Sequence, residues 1–110
     1  MSAHREMKSL SKDRVNMVAS RARAIGDPTR VRILDVLARG EQPVGQIAAA
    51  VSTQQSTVSK HLQVLFHAGL VQRRRDASVV RYWLTSDELL RWCHYLASRR
   101  LEPAPHAKAR

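Results

Sequence analysis

The stretch "STQQSTVSKHLQVL", residues 52–65, changes character halfway along its length. Its first half consists mostly of hydroxyl and amide side chains, and its second half carries leucines at helical spacing. Val58, Leu62, Leu65 and the following Phe66 form one stripe on a helix of 3.6 residues per turn. The stretch therefore predicts a short helix with a polar front end and one side packed in a small core.

The segments around this helix predict a helix-turn-helix. A short third helix is expected from about Val44 to Val51, because its apolar residues recur at i, i+3, i+4 and i+7. The fourth helix follows after a brief turn. Ser52 with Gln55 matches a capping box, with Thr53 as the other candidate cap, and Gly69 ends the helix.

The hydrophobic period changes to two after Gly69. The runs "LVQRRR" (70–75) and "VVRYWL" (79–84) alternate and are rich in β-branched and aromatic residues, which predicts a β-hairpin. The intervening "DAS" lacks the glycine that tight turns favour, so we expect a loop of about three residues or more. Alternation places Arg73 and Arg75 on one face and Arg74 on the other.

Three further helices frame this unit. The first is expected over Met7–Arg23, and the last from Asp87 to about Leu101, capped by Ser86 or Thr85. The last helix carries more apolar surface than one small domain needs to hide. The second helix should start with Asp27 as N-cap and Pro28 at its first position, end at Gly40, and bury Val31, Ile33, Leu34, Val36 and Leu37.

The resulting order, ααααββα, predicts a mainly α fold with a small β-hairpin, namely a winged helix-turn-helix. Its length of 110 residues suits one domain, expected over residues 1–101, followed by a flexible basic tail at 102–110. A core of this size is modest, so we expect a dimer that shares apolar surface.

Composition narrows the choice of partner. The formal net charge of +10 indicates a polyanion as the partner, most simply nucleic acid, with an anionic membrane surface as the competing interpretation.

No apolar run approaches bilayer length, and the N-terminus has no signal-peptide core. The single cysteine, Cys93, cannot close a disulfide within the chain. We expect a cytoplasmic protein without a membrane partner. No catalytic constellation is present in the sequence, so we expect no enzyme and no cofactor.

Helix-turn-helix geometry assigns the DNA contacts. The N-terminal residues of the second helix of the motif touch base edges in the major groove, where Gln, Ser and Thr are suitable hydrogen-bonding partners. A basic hairpin beside that helix is typical of a wing that lies along the DNA backbone or in the minor groove. The structural alternatives are that the polar front is only a cap and that the arginines only protect a strand edge. The predicted DNA-binding residues are Gln54, Gln55, Ser56, Thr57, Ser59, Lys60, His61, Arg73, Arg74, Arg75 and Arg81.

The segments "IGDPTRVRILDVLARGEQPVGQIA", "QSTVSKHLQVLFHAGLV" and "VVRYWL" resemble the ArsR-type winged-helix repressors over about residues 20 to 96. The resemblance implies a homodimer built from the first and last helices. It also implies repression of a promoter through an imperfect palindrome in double-stranded DNA, commonly released by a metal ion or a chemical signal. The effector of this chain is not identified by its residues.

This sequence departs from the metal-binding members that it resembles. Pro43 and Gly45 stand where those members carry two cysteines, and neither side chain can ligate. At a second family site only Asp87 matches, and Leu89, Arg100 and Pro103 replace the other ligands. We therefore expect no metal. Ser52 also replaces the usual glycine before the recognition helix, which predicts a slightly altered turn.

Several alternatives remain open at this level. Cys93 is interpreted as a buried small hydrophobe, with a thiol sensor formed across a dimer as the sharper hypothesis. Cys93 and His94 point about 100° apart on a helix and cannot chelate one ion by themselves. A non-specific architectural DNA-binding protein and a winged helix used for protein contacts compete with the repressor interpretation.

Overall fold

Five helices and three short strands follow one another in the computed structural model, which describes residues 8–98. The predicted tail at 102–110 and the predicted helix start at Met7 lie outside the described residues. The elements are α1 (Lys12–Ile25), α2 (Pro28–Leu37), β1 (Gln42–Pro43), α3 (Val44–Ala50), α4 (Gln55–His67), β2 (Val71–Asp76), β3 (Val79–Leu84) and α5 (Glu88–Leu96). The predicted order is confirmed, with β1 added.

The sheet has three antiparallel strands in the order β1-β3-β2. The hairpin register places Arg74 opposite Arg81, and β1 pairs Gln42 with Tyr82. β1 is two residues long, too short for an alternating pattern to reveal it in the sequence. It joins the segment before α3 to the hairpin, so the wing is tied to the helix-turn-helix by backbone hydrogen bonds.

One buried cluster joins α2, α3, α4 and the start of β2. The predicted stripe of α4 is confirmed, since Val58, Leu62 and Leu65 are fully buried. The prediction for Val31 is wrong, because 40% of this residue is exposed, on the side of α2 that faces α5. The largest fully buried side chains are Ile33, Leu34, Leu37, Ile47, Leu62, Leu65, Val58 and Val71.

The helix ends follow the sequence signals in part. Asp27 caps α2 by accepting a hydrogen bond from the backbone N–H of Arg30 at 3.1 Å, and Pro28 opens the helix, as predicted. Gly40 and Gly69 both have positive φ, as expected after a helix. At the start of α5 the Ser86 hydroxyl accepts from the backbone N–H of Glu88, although Asp87 holds the N-cap position.

The predicted starts of α1 and α4 are wrong. α1 begins at Lys12 with Ser11 as its cap. α4 begins at Gln55 with Gln54 at the N-cap, so neither Ser52 nor Thr53 caps it and no capping box forms. Ser52 instead adopts φ +53, the left-handed conformation that glycine occupies without strain. The turn therefore keeps a glycine-type backbone with a serine side chain.

The hairpin loop is also shorter than predicted. Asp76 pairs directly with Val79, which leaves a two-residue loop of Ala77 and Ser78. Ala77 accepts φ +59, so a non-glycine residue occupies a turn position that glycine favours. The expectation of a longer loop failed because it assumed that this conformation requires glycine.

The outer helices leave apolar surface uncovered. On α1, Val15, Met17 and Val18 are each about half exposed, and on α5 so are Tyr95 and Leu96. No α5 residue in the described range is fully buried. Helix α5 ends at Leu96, and the predicted continuation over 99–101 lies outside the described residues. Within residues 8–98, no helix is both long and apolar enough to cross a membrane.

The strained turn at Ser52 generates a stability prediction. Ser52→Gly should raise the free energy of unfolding by up to about 1 kcal/mol, because a left-handed backbone penalises residues with a Cβ. Ser59→Gly, in the middle of α4, should lower it by about 0.5 kcal/mol through helix propensity. Urea unfolding of both variants measures the difference, and a loss of stability in Ser52→Gly would contradict the argument.

Candidate nucleic-acid interface

The rotation of α4 about its axis determines which side chains face outward. Val58, Leu62 and Leu65 are buried on one side. Because successive residues are about 100° apart, the opposite side carries Ser56, Lys60, Gln63 and His67. All four are exposed. The burial of one stripe therefore presents a second, polar stripe along the length of α4.

The N-terminus of α4 is exposed and has no side-chain cap in the described structure. The first intrahelical bond runs from the Val58 N–H to the Gln54 carbonyl, so the amides of Gln55, Ser56 and Thr57 lack intrahelical acceptors. Gln54 and these three residues are exposed. Free amides at the positive end of a helix attract anions, and the side chains around them can bond base edges.

The polar front of α4 extends to the wing. Ser59 is half-buried and, with Gln63, borders a cleft that also contains Arg73, Arg74 and Arg75. Gln63 was missed from the sequence, although it lies three residues after Lys60 on the outward stripe. Following the helical spacing of Ser56 and Lys60 for one more turn would have identified Gln63 as an outward-facing residue.

His61 has a different neighbourhood from the other predicted contacts. Its Nδ1 lies 3.2 Å from Nη1 of Arg30 and 4.0 Å from Oδ2 of Asp27. Arg30 also donates to the carbonyls of Arg23 and Ala24 at the end of α1. The structure thus turns His61 toward a network that joins α1, α2 and α4, where the sequence predicted a groove contact.

The predicted wing arginines differ in how they are held. Arg73 stacks on the Phe66 ring, 3.9 Å from its centroid. Arg74 pairs with Glu41 at 2.8 Å, and Arg81 lies 3.5 Å from an Asp76 oxygen. Arg75 is exposed, and no partner for its side chain is recorded among residues 8–98. The alternation of Arg73 and Arg75 against Arg74 is confirmed by the register, with Arg73 opposite the buried Tyr82.

Cys93 is half-buried between α2 and α5. Burial, and then the nearby Asp35 carboxylate, raise the pKa of its thiol. The thiolate is therefore less populated at neutral pH than in an ordinary cysteine, which disfavours nucleophilic redox chemistry at this position. Within residues 8–98, no group of three His, Cys, Asp or Glu side chains could hold a metal ion. Arg100 and Pro103 lie outside the described residues.

Comparisons with known proteins agree with this geometry. The family described as "Bacterial regulatory protein, arsR family" matches residues 27–73. The nodulation protein NolR of Rhizobium meliloti is 41% identical over 68 residues, which span 62% of this chain and 56% of that protein. The biofilm growth-associated repressor of Agrobacterium fabrum is 36% identical over 78 residues, spanning 71% of this chain and 67% of the repressor.

Solved structures give the same result for the fold. The solution structure of the homodimeric winged helix-turn-helix DNA-binding domain of a possible ArsR-family regulator from Mycobacterium bovis superposes with a TM-score of 0.73. It is 31% identical, and the match covers 87% of this chain and 94% of that one.

The Asp27 cap generates a pH prediction. The hydrogen bond from the Arg30 N–H, followed by electrostatic interactions with His61 and Arg30, holds the pKa of Asp27 below its ordinary value despite some desolvation. A lowered folded-state pKa stabilises the protein above the ordinary aspartate pKa, and this stabilisation is lost as the pH falls through the lowered one. Asp27→Ala should therefore lower the urea midpoint at pH 7, and its difference from the wild type should shrink below about pH 4.

The matched control for this prediction is Asp27→Asn. Asparagine caps a helix about as well as aspartate but does not titrate. Its effect on the urea midpoint at pH 7 should be smaller than that of alanine. A difference between wild type and Asp27→Ala that stays constant from pH 7 to pH 2 would contradict the assignment.

Proposed function

The chain belongs to the ArsR family of bacterial regulatory proteins, and from this premise we propose that it is a homodimeric transcriptional repressor that binds a specific sequence in double-stranded DNA. The observation that carries the proposal is the exposed, uncapped front of α4, held outward by the burial of Val58, Leu62 and Leu65. Each subunit would place this front in one major groove of an imperfect palindrome, and occupancy of the promoter would repress transcription.

The predicted contacts enter the proposal with distinct tasks. Gln54, Gln55, Ser56 and Thr57 would meet base edges, since they form the exposed N-terminal turn of α4. Lys60 and Arg75 would meet phosphates, because both are exposed cations beside that front. The remaining proposed contacts are either half-buried or in contact with other side chains of the protein. They are Ser59, His61, Arg73, Arg74 and Arg81.

The uncovered apolar faces of α1 and α5 support the dimer. Val18 and Trp92 line one groove between these helices and are 53% and 42% exposed. A monomer would leave this apolar surface exposed to water, whereas a second copy of the chain would cover it. The homodimeric neighbour from Mycobacterium bovis supports the same assembly.

The proposal includes no metal-responsive step. Pro43, Gly45 and Leu89 occupy positions that carry ligands in the metal-binding members that this sequence resembles, and none of them can coordinate an ion. A thiol response through Cys93 is less favoured because burial raises the pKa of that thiol. The cytoplasm is the location at which a regulator of this kind would meet its promoter.

Sequence-specific binding is tested by recovering genomic DNA bound to the full chain and sequencing it. The fragments should share an imperfect palindrome with half-sites about one helical turn or more apart. In anisotropy titrations, the recovered duplex should bind at least about 10³-fold more tightly than a shuffled duplex of equal length. Equal affinity for the two duplexes would indicate an architectural DNA-binding protein, and no binding would contradict the proposal.

The dimer interface yields a separate prediction. Trp92→Glu should convert the dimer to a monomer, because it places a charge in the apolar surface that the partner would cover. Sedimentation velocity measures the change, and far-UV circular dichroism checks that the helices remain. Val79→Glu is the matched control, since Val79 is 40% exposed but lies beside the hairpin loop. A dimeric Trp92→Glu variant would contradict this interface.

A further inference from the structure

Clefts lie on both sides of the recognition helix. The first lies between α4 and the wing and contains Arg73, Arg74 and Arg75. The second, here named the α1 cleft, lies on the other side, where α4 approaches the end of α1 and the start of α2. Gln63 borders both, so the clefts adjoin the same outward stripe of α4. The polar side chains that line the α1 cleft are Ser20, Arg23, Arg30, Lys60, Gln63 and His67.

The α1 cleft is basic. None of its lining residues carries a carboxylate, whereas two arginines and a lysine do line it. Arg23 and Lys60 are exposed, and no ion pair is recorded for either within the described chain. Exposed cations without a neighbouring carboxylate create a positive potential that favours an anion.

The end of α1 would normally oppose an anion, because helix C-termini carry partial negative charge. Arg30 removes much of this opposition. Its guanidinium donates to the carbonyls of Arg23 and Ala24 in the last turn of α1, and it also lies against His61 on α4. Arg30 therefore neutralises the helix end and leaves the Arg23 side chain available to a ligand.

A helix in the major groove has a sugar-phosphate backbone on each side, because the groove is about 12 Å wide. The wing arginines lie on one side of α4, and the α1 cleft lies on the other. We propose that the α1 cleft binds a backbone phosphate of the DNA strand opposite the wing, with Arg23 as its principal contact. The inference rests on the proposed function and extends the interface to α1, a helix to which the family resemblance gave only a role in dimerisation.

A contact of this kind positions the protein without reading sequence. Removing one phosphate contact should weaken specific and non-specific binding alike. It should also lower the slope of log affinity against log salt concentration by about 0.9 per contact, or about 2 for a dimer with two clefts. This uniform effect distinguishes a phosphate contact from a base contact, which would alter specificity.

The experiment compares wild type, Arg23→Ala and Arg23→Lys in anisotropy titrations from 50 to 200 mM salt. The probes are the duplex recovered from genomic DNA and its shuffled counterpart. Arg23→Ala should lower the salt slope equally on both probes, and Arg23→Lys should retain it, since one positive charge suffices for a phosphate. Arg32→Ala is the charge-matched control, because Arg32 lies on the side of α2 that faces α5, and its slope should equal the wild-type slope.

Several outcomes overturn the proposal while leaving DNA binding itself intact. In the first, Arg23→Ala keeps the wild-type slope on both probes. In the second, Arg23→Ala changes only the ratio between the probes, as a base contact would. A thermal shift with inorganic phosphate at constant ionic strength identifies a free-anion site. A shift that Arg23→Ala abolishes, together with an unchanged salt slope, assigns the cleft to a small anion and also overturns the proposal. Failure of the wild type to bind either duplex contradicts the proposed function instead.

Discussion

The burial of one stripe of α4 is the constraint on which the interface depends. Val58, Leu62 and Leu65 have no solvent exposure, and they share a core with residues of α2 and α3. A rotation of α4 by one residue would turn the helix by about 100° and bring polar side chains into this core. The packing therefore permits one rotational setting, in which Ser56 and Lys60 face outward together.

A polar network around Arg30 also fixes the position of α4 relative to α1 and α2. Arg30 bonds the last carbonyls of α1 through its side chain, donates its own N–H to Asp27, and contacts His61 of α4. One residue thus joins the end of one helix, the start of the next and the side of a third. The resulting geometry brings α1 close enough to the recognition helix to form a basic cleft.

Hydrophobic periodicity and helix caps were enough to predict the element order and most of the core, because both signals are local in sequence. Asp27, Pro28 and Gly69 acted as expected for this reason.

The wrong or missing predictions concern features whose conformation or partners are determined by tertiary contacts. Ser52 and Ala77 adopt left-handed conformations that propensity assigns to glycine, and the surrounding turn and hairpin enforce them. β1 is too short for its pattern to be detected, and the partners of His61 are 31 or more residues away in sequence. Which wing arginines are held within the protein was likewise not accessible to sequence reasoning, because Phe66 and Glu41 reach them only in the fold.

The fixation of the wing has a consequence for how such a protein could be controlled. Arg73 lies on Phe66 of the recognition helix, Arg74 bonds Glu41 beside β1, and β1 pairs with β3, so the hairpin is connected to the rest of the protomer at three points. Each protomer then holds its recognition helix and its hairpin at a fixed spacing. A signal that releases DNA would act most readily by changing the distance between the two protomers of a dimer. Changing the spacing within one protomer would require breaking the contacts that connect its hairpin to the recognition helix and to β1.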